Sequence, residues 1–260
     1  MKVTFTFVAF AAAILSTGFL VSCKKQHQNP APVVDSLKVG LIAYYPFNNS
    51  AADASGNGND GTTNNVAATT DRKGNANSAY AFDGISSYIS IPDNPSLRLS
   101  NTDFTINTWI NLDVYDPSFG SFILCKRSSG VNDGFGLSIT GYQFNSTGQG
   151  GAGLPYFGGG GTNLAAIGKS SIGTTNWNMI TVVYNFSKQE ISLYLNGTLN
   201  NTTENFPSPN GSITNNFYIG RDDPASPSTG YFVKGKIDDI RIYGRALSHA
   251  SIQQLYNSSN

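Results

Sequence analysis

Between Leu41 and Tyr243 the chain repeats one short pattern: a β-branched or aromatic run, then a cluster of Gly, Asn, Asp or Ser that ends it. Leu41 to Phe47 is such a run and stops at Asn48-Asn49-Ser50. Ala79 to Phe82 leads into Asp83-Gly84, a strong turn dipeptide, after which Tyr88, Ile89 and Ile91 resume the sheet. Thr105 to Leu112 alternates, with Ile106, Thr108, Ile110 and Leu112 on one face, the signature of a half-buried strand. Trp177 to Phe186 and Ile191 to Leu195 form a pair, and the second ends in Asn196-Gly197, the preferred two-residue hairpin turn because both positions tolerate positive φ. Phe217 to Gly220 and Gly235 to Tyr243 complete the series. Only one segment has helical spacing, Ile252, Leu255 and Tyr256 behind a capping Ser248. Many short strands and one short C-terminal helix predict an all-β, two-sheet antiparallel sandwich over residues 39–258.

The N-terminus bears on location. Lys2 precedes an uncharged apolar run, Val3 to Leu20, that ends in Leu20-Val21-Ser22-Cys23. A basic start, an apolar core and a small-residue exit describe a signal peptide over residues 1–22. About 18 residues also lie at the lower edge of a bilayer span, which a transmembrane helix would need. The Leu-Val-Ser-Cys ending resembles a bacterial lipobox, which implies cleavage before Cys23 and lipidation of its sulfur. Residues 23–38 are polar and proline-bearing, a flexible tether from that anchor. Lys24 does not look like an inner-membrane retention signal, so the expected location is the outer membrane.

Charge and composition exclude several functions. Charged residues make up 12% of the chain and the net charge is zero, with no basic patch to hold nucleic acid. A surface of amides, hydroxyls and aromatics suits neutral polar ligands such as sugars. With Cys23 lipidated, Cys125 has no partner and reads as a buried, inert thiol. His27 and His249 lie in no catalytic motif. Glycoside hydrolysis needs two flanking carboxylates, yet the two glutamates, Glu190 and Glu204, lack acidic neighbours at i±2 or i±4. The adjacent pairs Asp222-Asp223 and Asp238-Asp239 would point to opposite faces of an extended strand. The chain is therefore expected not to be an enzyme.

The order of these segments resembles a bacterial laminin-G-like, concanavalin A-like jelly roll. The resemblance rests on Gly40 to Phe47, Asp53 to Thr62, Ala81 to Gly84, Phe104 to Ile110, Trp177 to Tyr184, Leu193 to Gly197 and Gly235 to Ser248. It implies two packed, curved antiparallel sheets but no single function, since family members bind glycans or proteins or serve as spacers; the ligand expected here is a glycan or polysaccharide, with a protein-binding, adhesive or structural lipoprotein as the alternative. It also implies a structural Ca2+ held by Asp53, Asn57 and Asn59 of an oxygen-rich, glycine-bearing loop together with one or both of Asp238 and Asp239; the alternative is an Asx-rich turn, with Asp239 paired to Arg241 or Arg245. The same loop starts like an EF-hand but has Asn64 at the closing position and no flanking helices. For the glycan, the candidates are aromatics outside the obvious core strands: Tyr115, Phe119, Tyr142, Phe144, Tyr156 and Phe157, most of them in the glycine-rich stretch Gly141 to Gly161.

Overall fold

A computed structural model describes residues 1–4, 36–128, 134–146, 149–159, 165–224 and 230–258. Residues Met1–Val33 separate from Val34–Asn260 as a distinct unit, and only Met1 to Thr4 of it is described, exposed and irregular. Cys23, the apolar run after Thr4 and nearly all of the tether lie outside the described residues. No helix among the described residues is long and apolar enough to cross a membrane.

The expected sandwich is present. One sheet runs β15 (Thr198–Thr203), β14 (Glu190–Leu195), β13 (Asn178–Asn185), β6 (Phe104–Leu112), β17 (Lys234–Tyr243), β4 (Ala79–Asp83) and β3 (Ala67–Thr69), with β1 (Leu41–Tyr45) also paired to β17. The second runs β12 (Ala165–Ile167), β11 (Pro155–Gly159), β8 (Gly134–Thr140), β7 (Gly120–Arg127), β16 (Phe217–Ile219), β5 (Tyr88–Ile91) and β2 (Thr62–Asn64). A small ribbon joins β9 (Asn145–Ser146) to β10 (Gln149–Gly150). Between the sheets lies a core rich in aromatic rings, where Phe104, Phe135, Phe157, Tyr184, Phe206 and Phe217 are all essentially inaccessible.

Turn chemistry explains the connections. Asn196 and Gly197 have φ of 50° and 78° and close the β14–β15 hairpin, with Leu195 opposite Thr198. Asp83 Oδ1 accepts the amides of Ile85, Ser86 and Ser87 at 2.8 to 2.9 Å. That turn does not return the chain to the same sheet as its dipeptide suggests; it carries it from β4 in the first sheet to β5 in the second. Nor is β6 half-buried. Its inner side enters the core, and Trp109 on its outer side is covered by the helix α1 (His249–Ser258), where Ile252 and Leu255 are buried. Ser248 caps this helix as expected, its Oγ accepting the Ser251 amide at 3.2 Å.

The acidic pair in β17 departs from simple alternation. Asp238 pairs with Trp109 and Arg241 with Asn107, so Asp239 and Ile240 together oppose one residue of β6. This is a β-bulge, and Asp239 adopts φ of 49° to make it. The two carboxylates therefore converge on one guanidinium instead of diverging. Arg72 bonds Asp238 Oδ2 and, at 2.8 Å, Asp239 Oδ2, while Arg241 Nε lies 3.1 Å from Asp239 Oδ1.

A second ionic knot closes the far side. Lys126, 1% exposed at its side chain, points inward and gives its ammonium to Asp93 Oδ1 at 2.6 Å and the Asn215 carbonyl at 2.8 Å. Asp93 also holds Arg98, with Oδ2 2.6 Å from its NH2. The Arg98 hydrogen bond pulls the Asp93 carboxyl down against the opposing effect of burial, Lys126 adding to the pull, to about 2. A carboxyl lowered on folding stabilises the fold above its unfolded pKa of about 4, and that contribution disappears as pH falls through about 2. Asp93→Asn, which leaves Lys126 buried without its counter-charge, is expected to cost about 3–5 kcal/mol at pH 7. Urea unfolding at pH 7 and pH 2.5 checks this: the gap between parent and variant should narrow at the lower pH.

Candidate functional site

The outer faces of the two sheets differ. The first is partly covered by α1, whereas the second presents half-buried aromatic side chains from successive strands. A bulge arranges them. Phe122 pairs with Ser138 and Leu124 with Leu137, which leaves Ile123 extra in β7. Ile123 and Leu124 both enter the core, while Phe122 on one side of them and Cys125 and Arg127 on the other take the outer face.

Around Phe122 the surface opens into a pocket of about 250 Å3. Phe122 and Tyr231 form one wall, with ring centroids 6.1 Å apart, and Phe144 and Tyr156 form the other, edge-on at 5.7 Å. Ser138 and Thr140 of β8 lie beneath, and Phe119 and Gly120 close one end. Glycine makes the hollow possible. Gly136 and Gly158 are cross-strand partners, and a Cβ on either would come within 2.5 Å of the Phe122 ring or 2.9 Å of the Tyr156 ring. The bare backbone lets both rings lie down against the sheet.

Polar groups in the pocket are fixed in position. The Arg127 guanidinium sits over the Phe122 ring at 4.7 Å and grips fully buried Asp222 with two nitrogens, Nε to Oδ1 at 2.8 Å. Burial alone would lower the Arg127 pKa, but the Asp222 carboxylate outweighs it and keeps the guanidinium protonated. Burial pushes the Tyr156 hydroxyl up, with Arg127 opposing, so it too stays protonated as a hydrogen-bond donor. Thr140 Oγ1 is used internally, donating to the Gly151 carbonyl and accepting the Leu154 amide. Burial and neighbouring Asp222 push the Cys125 thiol up, and its Sγ lies 3.3 Å from Asp222 Oδ1. The thiol is wholly buried, as expected.

Of the aromatics predicted from sequence, Phe119, Phe144 and Tyr156 meet in this pocket. Tyr115 and Tyr142 do not line it. They pack edge-on at 5.8 Å in neighbouring loops, Tyr115 donating to the Ile172 carbonyl and Tyr142 standing 64% exposed. Phe157 is a correction. It alternates with Tyr156 and so faces inward, wholly inaccessible, against Phe104, Phe135 and Phe206. Phe122, Arg127, Ser138 and Tyr231 escaped sequence reasoning: the bulge hid Phe122 in an apolar run, and Tyr231 approaches from a distant loop.

The residues expected to hold calcium are likewise distributed differently. Asp53 takes the amides of Tyr44, Ser55 and Asn59 and the Ser55 hydroxyl at 2.8 to 3.0 Å. The amide nitrogens of Asn57 and Asn59, with Ser55 Oγ, all bond the Ile42 carbonyl. Asp238 and Asp239 belong to the separate Arg72–Arg241 cluster. Among the described residues no three His, Cys, Asp or Glu side chains converge as metal ligands. Asn59 Oδ1 is buried without a partner, but one amide oxygen is far short of the six or more that calcium takes. As arranged, the five residues do not fit one calcium cage; the loop is a hydrogen-bonded clamp on β1.

Residues 82–253 match the family described as the concanavalin A-like lectin/glucanases superfamily, in its Laminin_G_3 form, and the chain belongs to that family. No curated protein matches it. Among solved structures it is similar to domain 4 of AbnA, a GH43 extracellular arabinanase from Geobacillus stearothermophilus, in complex with arabinotriose. There the TM-score is 0.62 and the identity 22%, over 83% of this chain and 98% of that one. The binding domain of Paraclostridial Mosquitocidal Protein 1 gives a TM-score of 0.65 at 19% identity, over 85% and 53%. The binding domain of botulinum neurotoxin DC in complex with SialylT gives 0.63 at 15%, over 86% and 53%. The chain thus spans about half of each toxin binding domain, and these likenesses bear on fold alone.

Two unfolding experiments check these assignments. Phe157→Ala is expected to cost about 3–5 kcal/mol as a core cavity, with Tyr156→Ala costing clearly less. Asp53→Ala, which strands its donors, should cost about 1–3 kcal/mol, equally in calcium and in chelator. A loss confined to calcium-loaded protein would restore the metal role.

Proposed function

We propose that the chain is a non-catalytic, carbohydrate-binding lipoprotein, anchored through Cys23 at the outer membrane and taking a glycan in the Phe122–Tyr156 pocket. The observation that carries this reading is the pair of facing aromatic walls over a hydroxyl-bearing floor. Sugar rings are apolar on their faces and polar at their edges, so they match stacked aromatics flanked by fixed donors. Ser138, Tyr156 and Arg127 supply polar groups at the pocket surface. Arg127 and Asp222 cancel in charge and are locked together before any ligand arrives, which reduces the ordering cost of binding.

Hydrolysis is not part of the proposal. Among the described residues no Asp or Glu lines the pocket, and Asp222 behind it is committed to Arg127. Glu190 opens β14 in the other sheet, and Glu204 lies exposed just beyond β15. The complexes of the arabinanase domain with arabinotriose and of the neurotoxin domain with SialylT support a sugar as the class of ligand.

The test is a glycan array with the purified full chain, repeated with Tyr156→Ala and Phe122→Ala. Selective binding to one glycan class, weakened about tenfold or more by either substitution, is the expected result. A blank array from folded protein, or binding indifferent to both substitutions, would overturn the proposal.

A further inference from the structure

Beyond the pocket, the same outer face carries a second aromatic group built around a cation. Tyr88 of β5 and Tyr218 of β16 face outward with ring centroids 6.1 Å apart. The Arg221 guanidinium carbon lies 5.0 Å from the centre of Tyr88, 5.9 Å from Tyr218 and 4.8 Å from Phe232. Contacts of this kind hold a guanidinium in place without neutralising it.

The backbone there is also fixed. Gly220 and Val233 are joined at 2.9 Å, as are Asp222 and Gly230, so the backbone is pinned on both sides of Arg221. Its Nε is used on the Asp222 carbonyl at 2.8 Å, but the guanidinium is in no ion pair among the described residues. The neighbouring carboxylates are engaged elsewhere, Asp222 by Arg127 and Asp223 by Asn215 Nδ2 at 2.7 Å. In the same sheet, Arg127 on the outer face and inward-pointing Lys126 both have carboxylate partners. Arg221 is the exception.

The cluster adjoins the pocket through the chain itself. Tyr231 lines the pocket wall and Phe232, the next residue, stacks on Arg221. From β11 to β5 there are four strand intervals, about 19 Å, a length that takes several sugar rings.

We infer that the glycan of the proposed site is an acidic polysaccharide, lying across the sheet from the pocket to the Tyr88–Tyr218 cluster, where Arg221 receives a carboxylate or sulfate substituent. The inference rests on the proposed sugar-binding role and specifies its charge class and extent. Arg221 has a planar fork of donors suited to either anion.

The experiment measures binding of the full chain to polygalacturonate against its methyl ester, and to dextran sulfate against dextran, using parent, Arg221→Gln, Arg221→Lys and Tyr156→Ala proteins. The parent should prefer at least one acidic polymer over its uncharged counterpart by about tenfold or more, and which polymer it prefers tells carboxylate from sulfate. Arg221→Gln should reduce that preference towards unity, and Arg221→Lys, which keeps the charge and much of the packing, should retain part of it. Equal binding of acidic and uncharged forms, or a preference untouched by Arg221→Gln in folded protein, overturns the inference. If the uncharged polymers bind equally well and Tyr156→Ala abolishes that binding, the sugar-binding reading survives alone. Binding to none of the probes overturns the inference for these acid classes and leaves the wider glycan array to judge the proposed function.

Discussion

The bulge at Asp239 is the constraint on which most of the fold leans. β17 has β6 along one side, but on the other it pairs with β4 through Lys234–Ile237 and with β1 through Ile240–Tyr243. One strand serves two partners on the same side because the left-handed residue between them re-aims the backbone. Turning there brings two carboxylates together, buried on the outer side of the sheet beside Trp109, and buried charges need partners. Arg72 and Arg241 provide them. Arg72 in turn lies over Trp109 at 4.8 Å, and Trp109 stacks on Tyr256 of α1 at 5.7 Å. A backbone distortion in the central strand thus determines where the 71–75 turn docks and what the terminal helix packs against.

The second bulge, in β7, does for the ligand face what the first does for the core. An extra residue places Ile123 and Leu124 together inside and leaves Phe122 outside, flat over Gly136. Without that slip, strict alternation would carry one face of β7 through Phe122 and Leu124, and an outward Phe122 would take Leu124 out of the core with it. The pocket and the core are consequently settled by the same residue count. The glycines opposite, Gly136 and Gly158, would weaken an ordinary strand pair, and here their missing side chains are the space that the rings occupy.

Much of this architecture was legible in the sequence because it is written in local signals. Asn196-Gly197 made its hairpin, Ser248 capped its helix, and the alternation over Ile106–Leu112 put apolar residues into the core. What could not be read depended on residues distant in sequence. Asp83-Gly84 announces a turn but not which sheet receives the chain next. Phe157 and Tyr156 look alike as neighbours in a glycine-rich loop, and only their pairing with Leu137 and Ser138 assigns one to the core and the other to the pocket. The oxygen-rich loop from Asp53 to Asp60 could be recognised as a ligand set, yet backbone amides compete for the same oxygens and here take them. Adjacent aspartates suggested divergent side chains, and a bulge, which carries no strong local signature, turned them together.

The charge pattern ties the fold to the proposed recognition. With zero net charge and few ionisable groups, the chain has little field to draw a distant ligand. Its buried charges are spent on architecture: Lys126 and Arg98 on Asp93, Arg127 on Asp222, and Arg72 and Arg241 on the β17 pair. Each closes on itself over a few ångströms and so contributes little beyond its own neighbourhood. Against this neutral background a single guanidinium set among Tyr88, Tyr218 and Phe232 acts only at contact range. Such an arrangement selects a ligand by where its charge lies along the chain, after the aromatic pocket has set the register.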